Sequence, residues 1–253
     1  MKSIMTSVWL ALLVLLPCHA AVRDVQSSEI AVQVSVDAQG HLQSVQPMVK
    51  LSAPFTALIQ RSLSNLSFLP AREGSRTVAT TTWLYVRLLG TPAADGKYDV
   101  SVRYICTGPY FTRRDPPGFP RQMISQRREA RLLLKATVET DGRVDHVQLV
   151  RALTTEGRPA RMFVYQAVHT LERWRARPIM VAGTPVISHV LIPISFMLHA
   201  YDSFGNPEAS NLPALRPAID ATGLARLGHR PAPLPDGVVA AIDSPVKLVH
   251  KTR

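Results

Sequence analysis

Hydrophobic and polar residues alternate through residues 29–37 (EIAVQVSVD), placing Ile30, Val32, Val34 and Val36 on one face. A period of two predicts a half-buried strand. Ala38-Gln39-Gly40 supplies a turn whose glycine tolerates positive φ, and Leu42 to Lys50 predicts the returning strand. The period then lengthens. Phe55, Leu58, Ile59, Leu63 and Leu66 recur at helical spacing behind Pro54, predicting a short helix over 55–66 that Phe68-Leu69-Pro70 closes. Thr80 to Leu89 (TTTWLYVRLL) is rich in β-branched and aromatic residues and predicts another strand. Tyr98 to Ile105 (YDVSVRYI) alternates again and pairs back as a hairpin across the turn at 90–97.

Residues 107–121 (TGPYFTRRDPPGFPR) hold four prolines and two glycines, which predicts a loop and a domain boundary. The pattern then restarts. Ala130 to Glu139 predicts a strand, Thr140-Asp141-Gly142 a turn, and Val144 to Arg151 a second strand. Phe163, Val164, Ala167, Val168, Leu171 and Trp174 predict an amphipathic helix over 160–174 that Pro178 terminates. A Gly183-Thr184-Pro185 turn leads into a long last strand, Val186 to Leu198. The order strand–turn–strand–helix–strand therefore occurs twice. VDAQGHL (36–42) matches VETDGRV (138–144), and LSFLP (66–70) matches WRARP (174–178). Glycine-to-proline spacings of 30 and 36 residues give the second copy a longer loop before its helix.

The N-terminus changes the picture of where the chain works. Lys2 precedes an apolar run, Val8 to Leu16, that Pro17 breaks before Cys18-His19-Ala20. That pattern predicts a secretory signal cleaved after Ala20. Nine residues as a helix reach about 14 Å, against a hydrocarbon core of roughly 30 Å. An uncleaved anchor over the charge-free stretch from Ser3 to Val22 is the rival reading. The formal charge of +11 becomes +10 without Lys2, which favours acidic partners such as headgroups, envelope polymers or acidic proteins. An exported location argues against nucleic acid. Cys106 is the single cysteine left after cleavage, so no internal disulfide forms, and its plainest reading is a small buried apolar residue.

The second repeat carries a specific resemblance. Pro117-Gly118-Phe119-Pro120 is a proline-aromatic-proline lead-in, Val138 follows eighteen residues after Pro120, and the Asp141-Gly142 turn and Val144 come next. The helix closes as LERWRARP (171–178), Gly183-Thr184-Pro185-Val186 turns the chain, and HVLIPISF (189–196) follows. In order and spacing, residues 117–198 resemble the C-terminal domain of the TonB family. Residues 29–90 are similar in a degenerate form, lacking the aromatic-proline lead-in and the tryptophan. Ala130 stands where the family has glycine, and Ala176 where it has an aromatic residue. The expected fold class is α+β: two TonB C-terminal-like modules, each a small antiparallel sheet with one helix packed on it, plus a Pro-rich tail. The expected boundaries are a signal peptide at 1–20, a degenerate domain at 21–106, a linker at 107–121, a TonB C-terminal-like domain at 117–199, and a partly disordered or loosely docked tail at 200–253. The resemblance marks Phe119, Pro120, Gly142, Trp174, Pro178 and Gly183 as structural positions. No cofactor and no metal is expected.

What the resemblance implies is binding. TonB-like domains capture a short segment of outer-membrane transporters, and an unpaired sheet edge can take such a segment as an added strand. The candidate edge is Val190, Leu191, Ile192, Ile194, Phe196 and Leu198, with Pro193, which lacks an N–H, fitting an edge. The alternative is that the first copy or the 98–105 strand covers this edge. Residues 103–177 hold 15 Lys and Arg against 7 Asp and Glu. Arg113, Arg114, Arg121, Arg127, Arg128 and Arg131 form either an acidic-partner or headgroup patch or a plain solvated surface. Trp174 is expected in the core with Arg173, Arg175 and Arg177 outside it. Seven dispersed histidines and the absence of a His-Glu-x-x-His, Gly-x-Ser-x-Gly or phosphate-loop motif argue against an enzyme, with a hydrolase as the remote rival. The expected function is a periplasmic TonB-like interaction module that binds an extended peptide of an outer-membrane transporter or other envelope protein, with use in TonB-dependent transport. Its alternative is a structural or accessory envelope protein whose modules pair with each other and take no part in energy transduction. Homo-oligomers are compatible with either.

Overall fold

A computed structural model of the chain describes residues 26–93, 95–157, 160–198, 212–213, 234–236 and 238–249. The expected signal segment at 1–20 and much of the tail lie outside the described residues. Strand β1 (Gln26–Val36) turns into β2 (Leu42–Pro47), and helix α1 (Ala53–Ser64) follows. Three short strands, β3 (Ser67–Leu69), β4 (Ala71–Glu73) and β5 (Arg76–Val78), lead to the long β6 (Thr80–Pro92) and β7 (Tyr98–Gly108). Next come β8 (Tyr110–Arg113), helix α2 (Arg121–Ser125), β9 (Ala130–Val138) and β10 (Val144–Thr154). Helix α3 (Arg161–Leu171) precedes β11 (Arg175–Arg177), β12 (Met180–Val181), β13 (Thr184–Pro185) and β14 (Ser188–Phe196). The tail adds β15 (Ala240–Ala241) and β16 (Lys247–Val249).

The two halves share one plan. In the first, β1 pairs antiparallel with β2 on one side and β6 on the other. In the second, β9 pairs antiparallel with β10 and β14. Each helix lies between the second and third of these strands in sequence. Alternation explains which face it covers. Ile30, Val32, Val34, Leu84 and Val86 join Ile59 and Leu63 of α1 in one core. Leu132, Leu134, Ala136, Val190, Ile192 and Phe196 join Phe163, Ala167 and Leu171 of α3 in another.

The hairpin turns match in detail. Gly40 (φ +87°) and Gly142 (φ +81°) both adopt a conformation that side chains disfavour. Gly40 offers its carbonyl to the Phe68 N–H at 2.8 Å, and Gly142 offers its own to the Ala176 N–H at 2.9 Å. A Cβ on either glycine would overlap a carbonyl oxygen, of Phe68 or of Ala176. The chain after each helix is therefore pressed onto the turn of its own hairpin.

Three expectations change. The stretch 107–121 is not all loop, because β8 pairs with β11. Phe111 then meets Trp174 edge-on at 5.4 Å, and the buried indole donates its N–H to the Asp115 carbonyl at 2.8 Å. Pro178 does not end the second helix: α3 stops at Leu171, and β11 intervenes. The described tail is docked rather than loose, since Val238, Val239, Ala240, Ala241 and Val246 are all buried.

The other faces of the two sheets meet. Tyr85 and Cys106 of the first sheet pack with Leu133 and Leu191 of the second, and Leu234, Val238 and Ala240 close the same core. Burial pushes both the Tyr85 hydroxyl and the Cys106 thiol well above their ordinary ranges, as desolvation of a would-be anion requires. Tyr85 donates to the Pro109 carbonyl at 2.9 Å. Backbone links reinforce the contact: β12 pairs with the start of β6, and β16 pairs with β3. Gly142→Ala is expected to lower unfolding free energy by more than about 2 kcal/mol, from positive φ and overlap together. Urea denaturation followed by circular dichroism measures it.

Candidate functional site

The direction of each backbone group on β14 follows from alternation. The His189 carbonyl accepts from the Ile242 N–H at 2.8 Å, and its N–H donates to Asp243 Oδ1 at 2.9 Å. His189 thus points away from β9. The β9–β14 register runs from Ser188–Val138 to Phe196–Ala130 without a shift, so Leu191, Pro193 and Ser195 also face outward. Val190, Ile192, Ile194 and Phe196 face β9 with their backbone groups and α3 with their buried side chains.

The outward edge is partly taken. Val190 and Leu191 pair with Ala241 and Ala240 of β15. The cover comes from the tail, and neither the first repeat nor the 98–105 strand provides it. The Asp243 carboxylate also reaches His189 Nδ1 at 2.6 Å and fixes the end of the pairing. Pairing stops one step before Pro193, which has no outward donor to offer. Among the described residues no strand pairs with Pro193 to Phe196 on this side. Leu198 lies beyond the strand and donates its N–H to Glu129 Oε1 at 2.8 Å.

The first half provides an internal contrast. Its β6 is the topological counterpart of β14, and the edge facing away from β1 is covered along its length. Met180 and Val181 pair with Thr81 and Thr80, and β7 covers Trp83 to Pro92. The 98–105 strand expected to form a hairpin does so, on β6.

The lead-in positions serve packing. Phe119 sits between Phe163 at 5.8 Å and Phe196 at 5.7 Å, and Pro120 is buried beside it. Gly183 (φ +81°) and Ala182 (φ +48°) make the two-residue turn between β12 and β13. Pro178 is half-buried, before that hairpin. Trp174 is buried and Arg173, Arg175 and Arg177 are exposed. Of the six arginines near the lead-in, Arg113 and Arg131 have ionic partners within the chain. Arg113 pairs with Asp115 at 3.0 Å. Arg131 reaches Ser195 Oγ at 3.3 Å, the Leu212 carbonyl at 3.0 Å and Asp236 at 3.8 Å. Arg121 and Arg127 are exposed.

Sequence reasoning missed β15. Its signal was the run Gly237-Val238-Val239-Ala240-Ala241-Ile242 in an otherwise proline-punctuated tail. Gly108 also belongs to the site, because a Cβ there would stand 2.9 Å from the Val239 carbonyl oxygen and 3.3 Å from the Ala241 nitrogen.

Comparison with known proteins finds relatives of the second half. Residues 115–198 match the family model of the Gram-negative bacterial TonB protein C-terminal. That stretch is similar to a TonB C-terminal domain. The chain is similar to Protein TonB of Escherichia coli strain K12, 31% identical over 94 residues, which are 37% of this chain and 37% of that protein. It is 33% identical to Protein TonB of Salmonella typhimurium over 109 residues, 43% of this chain and 40% of that one. Against Protein TonB of Pseudomonas aeruginosa it is 31% identical over 71 residues, 28% and 19% of the two lengths. The chain thus spans two fifths or less of these curated relatives. The TonB C-terminal domain is an interaction module and not an enzyme. Gly108→Ala is expected to loosen β15 selectively, raising amide exchange at Val239 to Ala241 by about tenfold and costing about 1–3 kcal/mol. Hydrogen exchange resolved by residue checks both.

Proposed function

We propose that this chain is a periplasmic TonB-like interaction module whose β14 edge takes an extended segment of an outer-membrane transporter or another envelope protein by strand addition. In this reading the first half is a degenerate copy of the same domain. It buttresses the second and binds nothing through its own β6 edge, which β7 and β12 already fill. The observation that carries the reading is the contrast between these two edges. Among the described residues the outer side of β6 is paired at Thr80, Thr81 and Trp83 to Pro92, whereas strand pairing on the outer side of β14 is confined to Val190 and Leu191, in a two-residue strand. Outward groups at Pro193 and Ser195 extend the line along which a partner strand would run. Among the described residues no helix is long and apolar enough to cross a membrane. The reading assigns binding to this chain, with a role in TonB-dependent transport that it would share with other proteins.

A second reading has its own support. The β12–β6 and β16–β3 pairings tie the halves together through backbone, as a structural or accessory envelope protein with self-paired modules would require. Titration separates the two. The probe is a synthetic peptide copying the N-terminal extended segment of an outer-membrane transporter from the same cell. Ala240→Pro removes the N–H that faces Leu191 and frees the edge. Under the binding reading the peptide slows amide exchange at Leu191 and Ser195, and the variant binds it several-fold more tightly, since no intramolecular strand competes. An unchanged exchange pattern on β14 in both proteins would favour the accessory reading.

A further inference from the structure

β7 closes the edge of β6 and in doing so makes a new edge of its own. Ala93 donates its N–H to the Lys97 carbonyl at 2.8 Å, so Lys97 faces β6 with its backbone groups. The register from Val86–Tyr104 to Pro92–Tyr98 contains no shift. Asp99, Ser101 and Arg103 therefore also bond β6, whereas Tyr98, Val100 and Val102 point their N–H and C=O groups outward. Among the described residues no strand or side chain bonds these outward groups, which leaves a regular edge five residues long.

Side chains follow the same alternation. Val102 turns to the α1 face and packs on the first core. Val100 lines a groove of about 330 Å³ beside it, together with Phe55 and Leu58 of α1. The groove is open where apolar residues are normally covered: Phe55 is 41% exposed and Tyr98 44%. Asp99, Ser101 and Arg103 lie on the opposite face, and all three are exposed.

Charge selects the occupant. The neighbouring cations are already matched, Lys97 by Asp95 at 3.2 Å and Arg87 by Glu29 at 2.9 Å. Asp99 and Arg103 have no ionic partner among the described residues. Four residues apart on one strand, about 13 Å, they do not reach each other. A second copy of the chain brings both a partner. With β7 antiparallel to β7 of that copy about a two-fold axis at Ser101, Asp99 of each copy stands opposite Arg103 of the other, Cβ atoms about 5 Å apart. In the same register Val100 of each copy exchanges both backbone hydrogen bonds with Val102 of the other. An axis at Asp99 or Arg103 sets like charges opposite each other, and an axis at Val100 or Val102 leaves both ions unmatched. We propose that two copies of this chain join through β7 in that one register, forming a continuous sheet. The Asp99–Arg103 pairs lie on one face, and on the other Val102 of each copy covers the groove beside α1 of its neighbour. This interface lies in the first half, outside residues 115–198, and goes beyond the reading given above.

The test follows the full chain by sedimentation equilibrium over a concentration series. A monomer–dimer equilibrium is expected, with amide exchange at Val100 and Val102 slowing as concentration rises. Asp99→Arg and Arg103→Asp, both on the surface, are each expected to weaken the dimer at least about tenfold. The double variant is expected to restore it to within about threefold, because the exchanged charges still meet. Ala240→Pro, which opens the β14 edge, leaves the dimer unchanged, so failure here is distinct from failure there. A chain that stays monomeric up to about 1 mM, a dimer indifferent to both single changes, a loss that the double variant does not restore, or concentration-dependent protection confined to β14 would each overturn the proposal.

Discussion

The contact between the two sheets governs the rest of the structure. Leu133 and Leu191 can be buried only because Tyr85 and Cys106 stand opposite them. That shared layer removes apolar surface from both sheets at once, at about 25 cal/mol per Å². It also decides the polar groups that remain inside. Tyr85 keeps its hydroxyl satisfied by the Pro109 carbonyl, at the point where β7 ends and the second half begins. The Cys106 thiol, with a weak contact to the Val239 carbonyl at 3.8 Å, stays protonated and packs as a small apolar residue. With the central strands β6, β9 and β14 largely buried, a backbone edge is what β14 offers to a partner.

Topological equivalence then explains why one edge is open and the other closed. β7 follows β6 directly through a short turn, so the first half fills its own edge by local hairpin formation. Among the described residues β14 has no such neighbour: it ends at Phe196, and the strand that pairs with its outer side is β15 at Ala240–Ala241. The closure is non-local and brief. Pro193 limits it further, since a strand continuing past Leu191 would meet a position with no donor.

Much of this plan was legible in the residues. Period-two alternation at 30–36, helical spacing at 55–66 and 163–174, and the two glycine turns located the long strands and both longer helices, because each signal comes from short-range geometry. The lead-in Phe119-Pro120 and the tryptophan carried the resemblance to the TonB C-terminal domain, and the family match covers the same stretch. What escaped was two-sided burial. Leu132-Leu133-Leu134 is a continuous apolar run rather than an alternation, and continuous runs belong to strands covered on both faces. β8 and β11 escaped because neither carries a pattern longer than a few residues, and their pairing depends on Trp174 reaching Asp115 across 59 positions. β15 escaped for the same reason. Its two alanines pair only because Val238, Val239 and Val246 are buried around them.

The strength of the tail's hold divides unequally, and that division bears on how a partner competes. Two residue pairs on β14 and the Asp243 clamp contribute a few hydrogen bonds, each worth about 0.5–1.5 kcal/mol net. Burial of Val238, Val239 and Val246 contributes about 1.5–3 kcal/mol for each side chain. The apolar anchors therefore hold the tail more firmly than its strand pairing does. A competing strand exchanges like for like at Leu191, and adds the Ser195 N–H and C=O and the Pro193 carbonyl, with which no strand pairs among the described residues. It has no need to extract the anchors. Invasion from the Ser195 end can peel Ala240 and Ala241 away while Val246 and β16 stay on the first half, so the tail yields its edge without the two halves coming apart.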